Sequence, residues 1–73
     1  MNAQEARKLA VETIEFADAE GQPVEYTTVV GIDENGYWVA DNGEAVNGLT
    51  KEQAIEIIVE NLISNAEVLD ELE

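Results

Sequence analysis

Seventeen of the 73 residues are Asp or Glu, and only three are Lys or Arg. The spacing of the acids is regular where the chain reads as helix. Glu52, Glu56 and Glu60 recur every four residues in "KEQAIEIIVENLI", with Lys51 the one base in that stretch. At about 100° per residue they occupy neighbouring positions on one face. Carboxylates four apart on a helix repel each other, and a sequence shaped by stability alone would place lysines among them. A run of carboxylates supports three kinds of chemistry: acid–base catalysis, metal binding, or charge-assisted pairing with Lys and Arg.

Catalysis by a carboxylate pair needs environments that separate the two pKa values, usually in a dry pocket. Close pairs arise by chance among seventeen acids, and a chain this short buries only about 60% of its unfolded surface. There is no His, no Cys, no nucleophile elbow, no P-loop and no dinucleotide glycine pattern. An enzyme is not expected. For metal, "DENG" and "DNGE" resemble pieces of a calcium loop. Anchored at Asp33, however, the template wants an oxygen ligand at 37 and Gly at 38, where this chain has Tyr37 and Trp38. They read as hairpin turns, and no cofactor is expected. Charge pairing is left. A net charge of −14 lies far outside the magnitude of about 2–8 usual for a small soluble domain. Such a field repels nucleic acid and anionic membranes and attracts basic surfaces. Direct DNA or RNA binding is excluded for want of a basic footprint.

The elements that must position these groups follow from periodicity. Apolar content of 45% is enough for a folded chain. Residues 3–20 predict a helix, with Ala6, Leu9, Ala10, Thr13, Phe16 and Ala17 on one arc and Ile14 at its edge. Glu5, Glu12 and Glu15 lie opposite, beside Lys8. Gly21 and Pro23 are the stop signal. A β-branched stretch over 24–33 predicts a strand, and Asn35-Gly36 a type I′ hairpin into a second strand over 37–41. That turn pairs Asp33 with Trp38 and Ile32 with Val39. It puts Val30, Ile32 and Val39 on the face that meets the helices, and Val29 and Trp38 on the other. Asn42-Gly43 offers a further turn into a short third strand over 44–47, against which stands the pairing of Asp41 with Glu44.

Thr50 and Gln53 form a capping box for a helix over 51–63, with Leu49 and Ala54 as its hydrophobic staple. Ser64 and Glu67 repeat that grammar. The favoured reading is a break at Ser64 and a restart over 65–72; the alternative is one unbroken helix. Unbroken, it would carry Glu67, Asp70 and Glu71 on the same arc as Glu52, a negative rail about 28 Å long at 1.5 Å per residue. The expected architecture is a single α+β domain, with helices packed on one face of a small antiparallel sheet. Among the aromatic residues, Phe16 is expected in the core and Tyr26 and Tyr37 half-buried on the sheet. Trp38 either covers the sheet rim or serves as an apolar anchor for a partner.

A short, His-free, Cys-free, highly acidic α/β domain without a catalytic motif resembles the small inhibitor proteins of bacteriophages and mobile elements, anti-CRISPR proteins and other DNA mimics among them. The resemblance is of charge, size and architecture, and no motif is shared. It implies a stoichiometric inhibitor that occupies the basic site of a nucleic-acid-binding protein or effector complex. A second resemblance, from Val24 to Leu62, is topological. A β-meander followed by a helix opening "TKEQAIEII" is similar to the plant-type AP2 DNA-binding fold, whose sheet reads DNA with basic residues. This sheet has none, so DNA reading does not carry over.

The candidate binding residues are therefore Glu52, Glu56 and Glu60, with Glu12 and Glu15 as a second patch and Trp38 as anchor. The competing expectation is a structural module that self-associates through the sheet, its acidity serving solubility or salt adaptation. A monomer or weak homodimer is expected. No stretch approaches the ~18 apolar residues of a membrane span. The opening "MNAQEARKLA" lacks a signal-peptide core, so the expected location is the cytoplasm, a bacterial host's if the chain is phage-encoded.

Overall fold

The structure, a computed structural model, describes the backbone of residues 1–72 and the side chains of residues 1–67. The chain runs α1 (Ala3–Ile14), β1 (Gln22–Pro23), β2 (Thr28–Asp33), β3 (Gly36–Asp41), β4 (Glu44–Leu49) and α2 (Lys51–Leu72). The strands form an antiparallel meander in the order β1-β2-β3-β4. The two helices pack on each other and on one face of the sheet, giving the expected α+β domain.

Helix α1 starts at Asn2, whose Oδ1 accepts the Glu5 N–H at 2.8 Å, while Asn2 Nδ2 donates back to Glu5 Oε1 at 3.2 Å. The helix ends at Ile14 and does not reach residue 20. Its last turn tightens, with the Phe16 N–H donating to Thr13 O and the Ala17 N–H to Ile14 O. Asp18 then captures the chain. Its Oδ1 accepts the N–H groups of Glu20 and Gly21, its Oδ2 accepts from Gln22 Nε2, and its carbonyl accepts the Ile32 N–H of β2. A side chain that satisfies loop N–H groups competes with helix continuation. The buried stripe is Ala6, Ala10 and Ile14. Phe16, expected in the core, falls beyond the helix and is 74% exposed.

The strand expected over 24–33 is shorter, because the chain turns back through 24–27. There the Val24 N–H donates to Thr28 O, the Thr28 N–H donates to Glu25 O, and Tyr26 sits at φ 58. Pro23 lies in the edge strand β1, where its missing N–H is tolerated. At the first Asn-Gly, the Asn35 N–H donates to Asp33 Oδ1 at 2.8 Å, and the turn forms at Glu34–Asn35, with positive φ at Gly36 alone. Asp33 therefore pairs with Gly36, Gly31 with Trp38 and Val30 with Val39. This register differs from the expected one by two residues. Strand faces alternate with period two, so Val30 and Val39 still point to the helices. The second Asn-Gly is the type I′ turn: Asn42 and Gly43 both have positive φ and lie between the paired Asp41 and Glu44. It leads into a fully formed β4.

Helix α2 opens on the expected capping box, with the Gln53 N–H donating to Thr50 Oγ1 at 3.2 Å and the Thr50 N–H to Gln53 Oε1 at 2.9 Å. It does not break at Ser64. No Gly or Pro interrupts 51–72, and Ala66 is buried in phase with Ile55, Ile58 and Leu62. With Ala54, Val30, Val39 and the α1 stripe, these make an almost wholly aliphatic core.

Trp38 lies on the opposite face of the sheet and is half-buried. Its ring occupies the space above two glycines. A Cβ built at Gly31 would come within 2.2 Å of Trp38 Cζ2 and 2.7 Å of Asp18 O, and one at Gly21 within 2.6 Å of Trp38 Cη2. Gly31→Ala is therefore expected to cost about 2–3 kcal/mol by overpacking and to shift the Trp38 fluorescence. Gly43→Ala, which meets nothing within 4 Å but keeps φ +90, should cost about 1 kcal/mol through backbone strain alone and leave the spectrum unchanged. Urea denaturation followed by fluorescence measures both.

Candidate functional site

Because α2 is continuous, its carboxylates share one face. Glu52, Glu56, Glu60 and Glu67 are all exposed, and from Glu52 to Glu67 the helix rises about 22 Å. Asp70 and Glu71, expected on the same arc, have side chains outside the described residues. Glu56 and Glu60 form the crest of α2. On one side they border a depression shared with Ala3, Arg7 and Val59, and on the other a depression shared with Leu49, Gln53 and Ile57.

The stripe is not wholly unpaired. Arg7 Nη2 lies 3.3 Å from Glu52 Oε2, with the two side chains 53% and 70% exposed. This is the one ion pair among the described residues. At that exposure it contributes under about 1 kcal/mol, and it leaves Glu56 and Glu60 without a cation. The contact joins residues 45 apart in sequence, so no local pattern announces it.

Glu12 on α1 and Glu15 at its C-cap are exposed but do not join this crest. Glu12 lies with Leu9, Thr13, Phe16 and Pro23 around a separate depression facing β1. Trp38 is not a free anchor either, since its ring packs on Gly21 and Gly31. Exposed apolar groups occur elsewhere, at Phe16 and Val46.

One carboxylate missed by pattern reading organises the sheet. Asp41 Oδ1 accepts from Thr27 Oγ1 at 2.7 Å, Thr28 Oγ1 at 3.2 Å and Asn65 Nδ2 at 3.2 Å. It thereby ties the start of β2 and the body of α2 to the end of β3, and satisfies Thr28, which is 1% exposed. Its side chain is engaged here, so its pairing opposite Glu44 does not prevent β4 from forming. Among the described residues no group of three or more acidic side chains is placed to hold a metal ion, and no helix is long and apolar enough to cross a membrane. Neither a family model, nor a curated protein, nor a solved structure matches the chain.

Two stability measurements follow from this geometry. Glu56→Lys and Glu60→Lys should each stabilise the fold by a few tenths of a kcal/mol, about the size of one removed like-charge step. Glu52→Lys should not, because it places a cation against Arg7. Asp41→Ala should cost about 2–3 kcal/mol by orphaning the buried Thr28 hydroxyl and removing a charged acceptor, with Asp41→Asn milder. Chemical denaturation at low ionic strength reads all five.

Proposed function

We propose that this chain is a non-enzymatic acidic binding protein that occupies the basic site of a nucleic-acid-binding protein or complex, in the manner of DNA-mimic and anti-CRISPR inhibitors. The observation that carries the reading is the unbroken crest of Glu52, Glu56, Glu60 and Glu67, exposed along one helix of a molecule with net charge −14. Neighbouring carboxylates one turn apart lie roughly 6 Å from each other, a spacing on the scale of phosphates along a nucleic-acid strand. Lys and Arg of a groove built for phosphates can take carboxylates at that spacing through charge-assisted hydrogen bonds, with release of the counterions held by both surfaces.

The electrostatic cost to folding supports the same reading. Repulsion along α2 is relieved at one position by Arg7 and at the others by nothing among the described side chains. An oppositely charged groove relieves the rest.

A specific observation favours a second reading. Strand β4 ends the sheet with its residues exposed, which suits a small module that self-associates edge to edge. The two readings differ in the sign of their salt response: salt weakens docking on a basic site and strengthens association between two like-charged copies.

The experiment is capture from a bacterial lysate by the immobilised protein at low ionic strength, with bound proteins assayed for nucleic-acid binding. Capture of basic nucleic-acid-binding proteins is expected, lost by at least about tenfold as salt rises through the physiological range. The triple variant Glu52→Lys, Glu56→Lys, Glu60→Lys should capture none of them while remaining folded. Undiminished capture by the triple variant would remove the helix crest from the account.

A further inference from the structure

The edge of β4 and the groove beside it combine features that a charge stripe alone does not have. β4 is the last strand of the sheet, and no loop or helix backbone group among the described residues bonds to it. Asp41 and Glu44 close the two-residue Asn42-Gly43 turn. Alternation from that pair directs the N–H and C=O of Ala45 away from β3, into the open, and Asn47 follows where the register with β3 shifts, between the Val39–Val46 and Tyr37–Leu49 pairs. The strand contains no Lys or Pro, and the edge-guarding device it does carry is the register shift opposite Tyr37–Val39, beyond Val46.

Next to this edge the inner face of the sheet is incompletely covered. Val46 is 49% exposed although it points to the helical side with Val39. Between β4 and α2 lie two depressions that meet at Ile57, one lined by Val46 and Glu44 and the other by Leu49, Glu56 and Glu60. An apolar floor between carboxylate rims, beside unpaired backbone groups, matches one kind of ligand: an extended segment in which cationic and apolar residues take turns at every second position, so that both kinds face the helical side. A second copy of this chain is a poor occupant, because pairing would bring two charges of −14 together and set more carboxylates against those already on the rims.

We propose that β4 takes up an extended, Lys/Arg-rich segment of a partner protein by strand addition. The partner's backbone pairs with Ala45 and Asn47, an apolar side chain rests on Val46 and Ile57, and cationic side chains reach Glu44, Glu56 and Glu60. This rests on the reading that the partner is basic, and adds that docking is directional and not a matter of charge alone. Main-chain bonds supply affinity, and alternate side chains in the groove supply selectivity.

The test uses the intact chain and a short alternating peptide of the pattern Lys-Ser-Val-Ser-Lys, which turns lysine and valine to one face of a strand, with and without N-methylation of the peptide backbone, against a lysine-only peptide of equal charge with serine in place of valine. Hydrogen exchange is followed at individual amides by NMR. The alternating peptide is expected to protect the Ala45 and Asn47 amides and to bind about tenfold or more tighter than its N-methylated analogue, the factor for two or so lost hydrogen bonds. Val46→Thr, which keeps the branched strand shape, should lower that affinity several-fold and leave the lysine-only peptide unaffected. Equal binding of all three peptides without protection at Ala45 and Asn47 would overturn strand addition and leave the basic-partner reading standing. Failure of every peptide to bind even at low salt would overturn both. Protection that appears without peptide, and grows with protein concentration and with salt, would assign the edge to a second copy and overturn the proposal.

Discussion

Mutual repulsion of surface carboxylates is the constraint under which this fold is built. A net charge of −14 is carried on 8.0 kDa, and the core that opposes it is small and aliphatic, assembled from Ala6, Ala10 and Ile14 of α1, Val30 and Val39 of the sheet, and Ile55, Ile58 and Leu62 of α2. A domain this size has only a few kcal/mol of net stability. What it gains from local devices therefore matters: reciprocal caps at Asn2 and Thr50, a true type I′ turn at Asn42-Gly43, the three-donor node at Asp41, and the Trp38 ring seated on two glycines. Each spares the core part of the electrostatic load.

The same constraint explains where the charge sits. The long helix α2 turns its apolar arc to the sheet and presents Glu52, Glu56, Glu60 and Glu67 outward, so repulsion is spread along an axis and not concentrated at one point. Arg7 offsets the end nearest α1. The remaining crest is rigid, because it rides on an unbroken helix anchored below by Ile58, Leu62 and Ala66. Carboxylates carried on a fixed helix lose less backbone freedom on docking than those of an acidic tail.

Much of this was legible in the residues themselves. Thr50–Gln53 announced the start of α2, Asn42-Gly43 announced a hairpin, and alternation in β2 and β3 assigned the inner face. That assignment survived a two-residue change of register because parity was preserved. The misreadings have a common cause, which is that local signals state what a segment can do and tertiary contacts choose among the options. Ser64 and Glu67 can start a helix, yet with no Gly or Pro to stop α2 the existing helix simply continues. Phe16 fits the arc of an extended α1, but Asp18 ends that helix by bonding loop and strand N–H groups. At Asn35-Gly36 the Asp33 carboxylate moves the turn by one residue. For the candidate site, the stripe on α2 was readable from spacing. The Arg7 contact, the placement of Glu12 beside Pro23 on a depression of its own, and the packing of Trp38 on Gly31 were not, since each joins residues remote in sequence.

In the proposed function the acidic crest takes the place of nucleic acid on its partner. The most direct measurement is competition on one captured partner: fluorescence anisotropy of a labelled oligonucleotide bound to that partner, titrated with this protein. Mutually exclusive binding is expected, with the oligonucleotide fully displaced at saturation and the apparent affinity of this protein rising as the oligonucleotide concentration is lowered. A ternary complex, in which anisotropy rises further and the oligonucleotide stays bound, would contradict it.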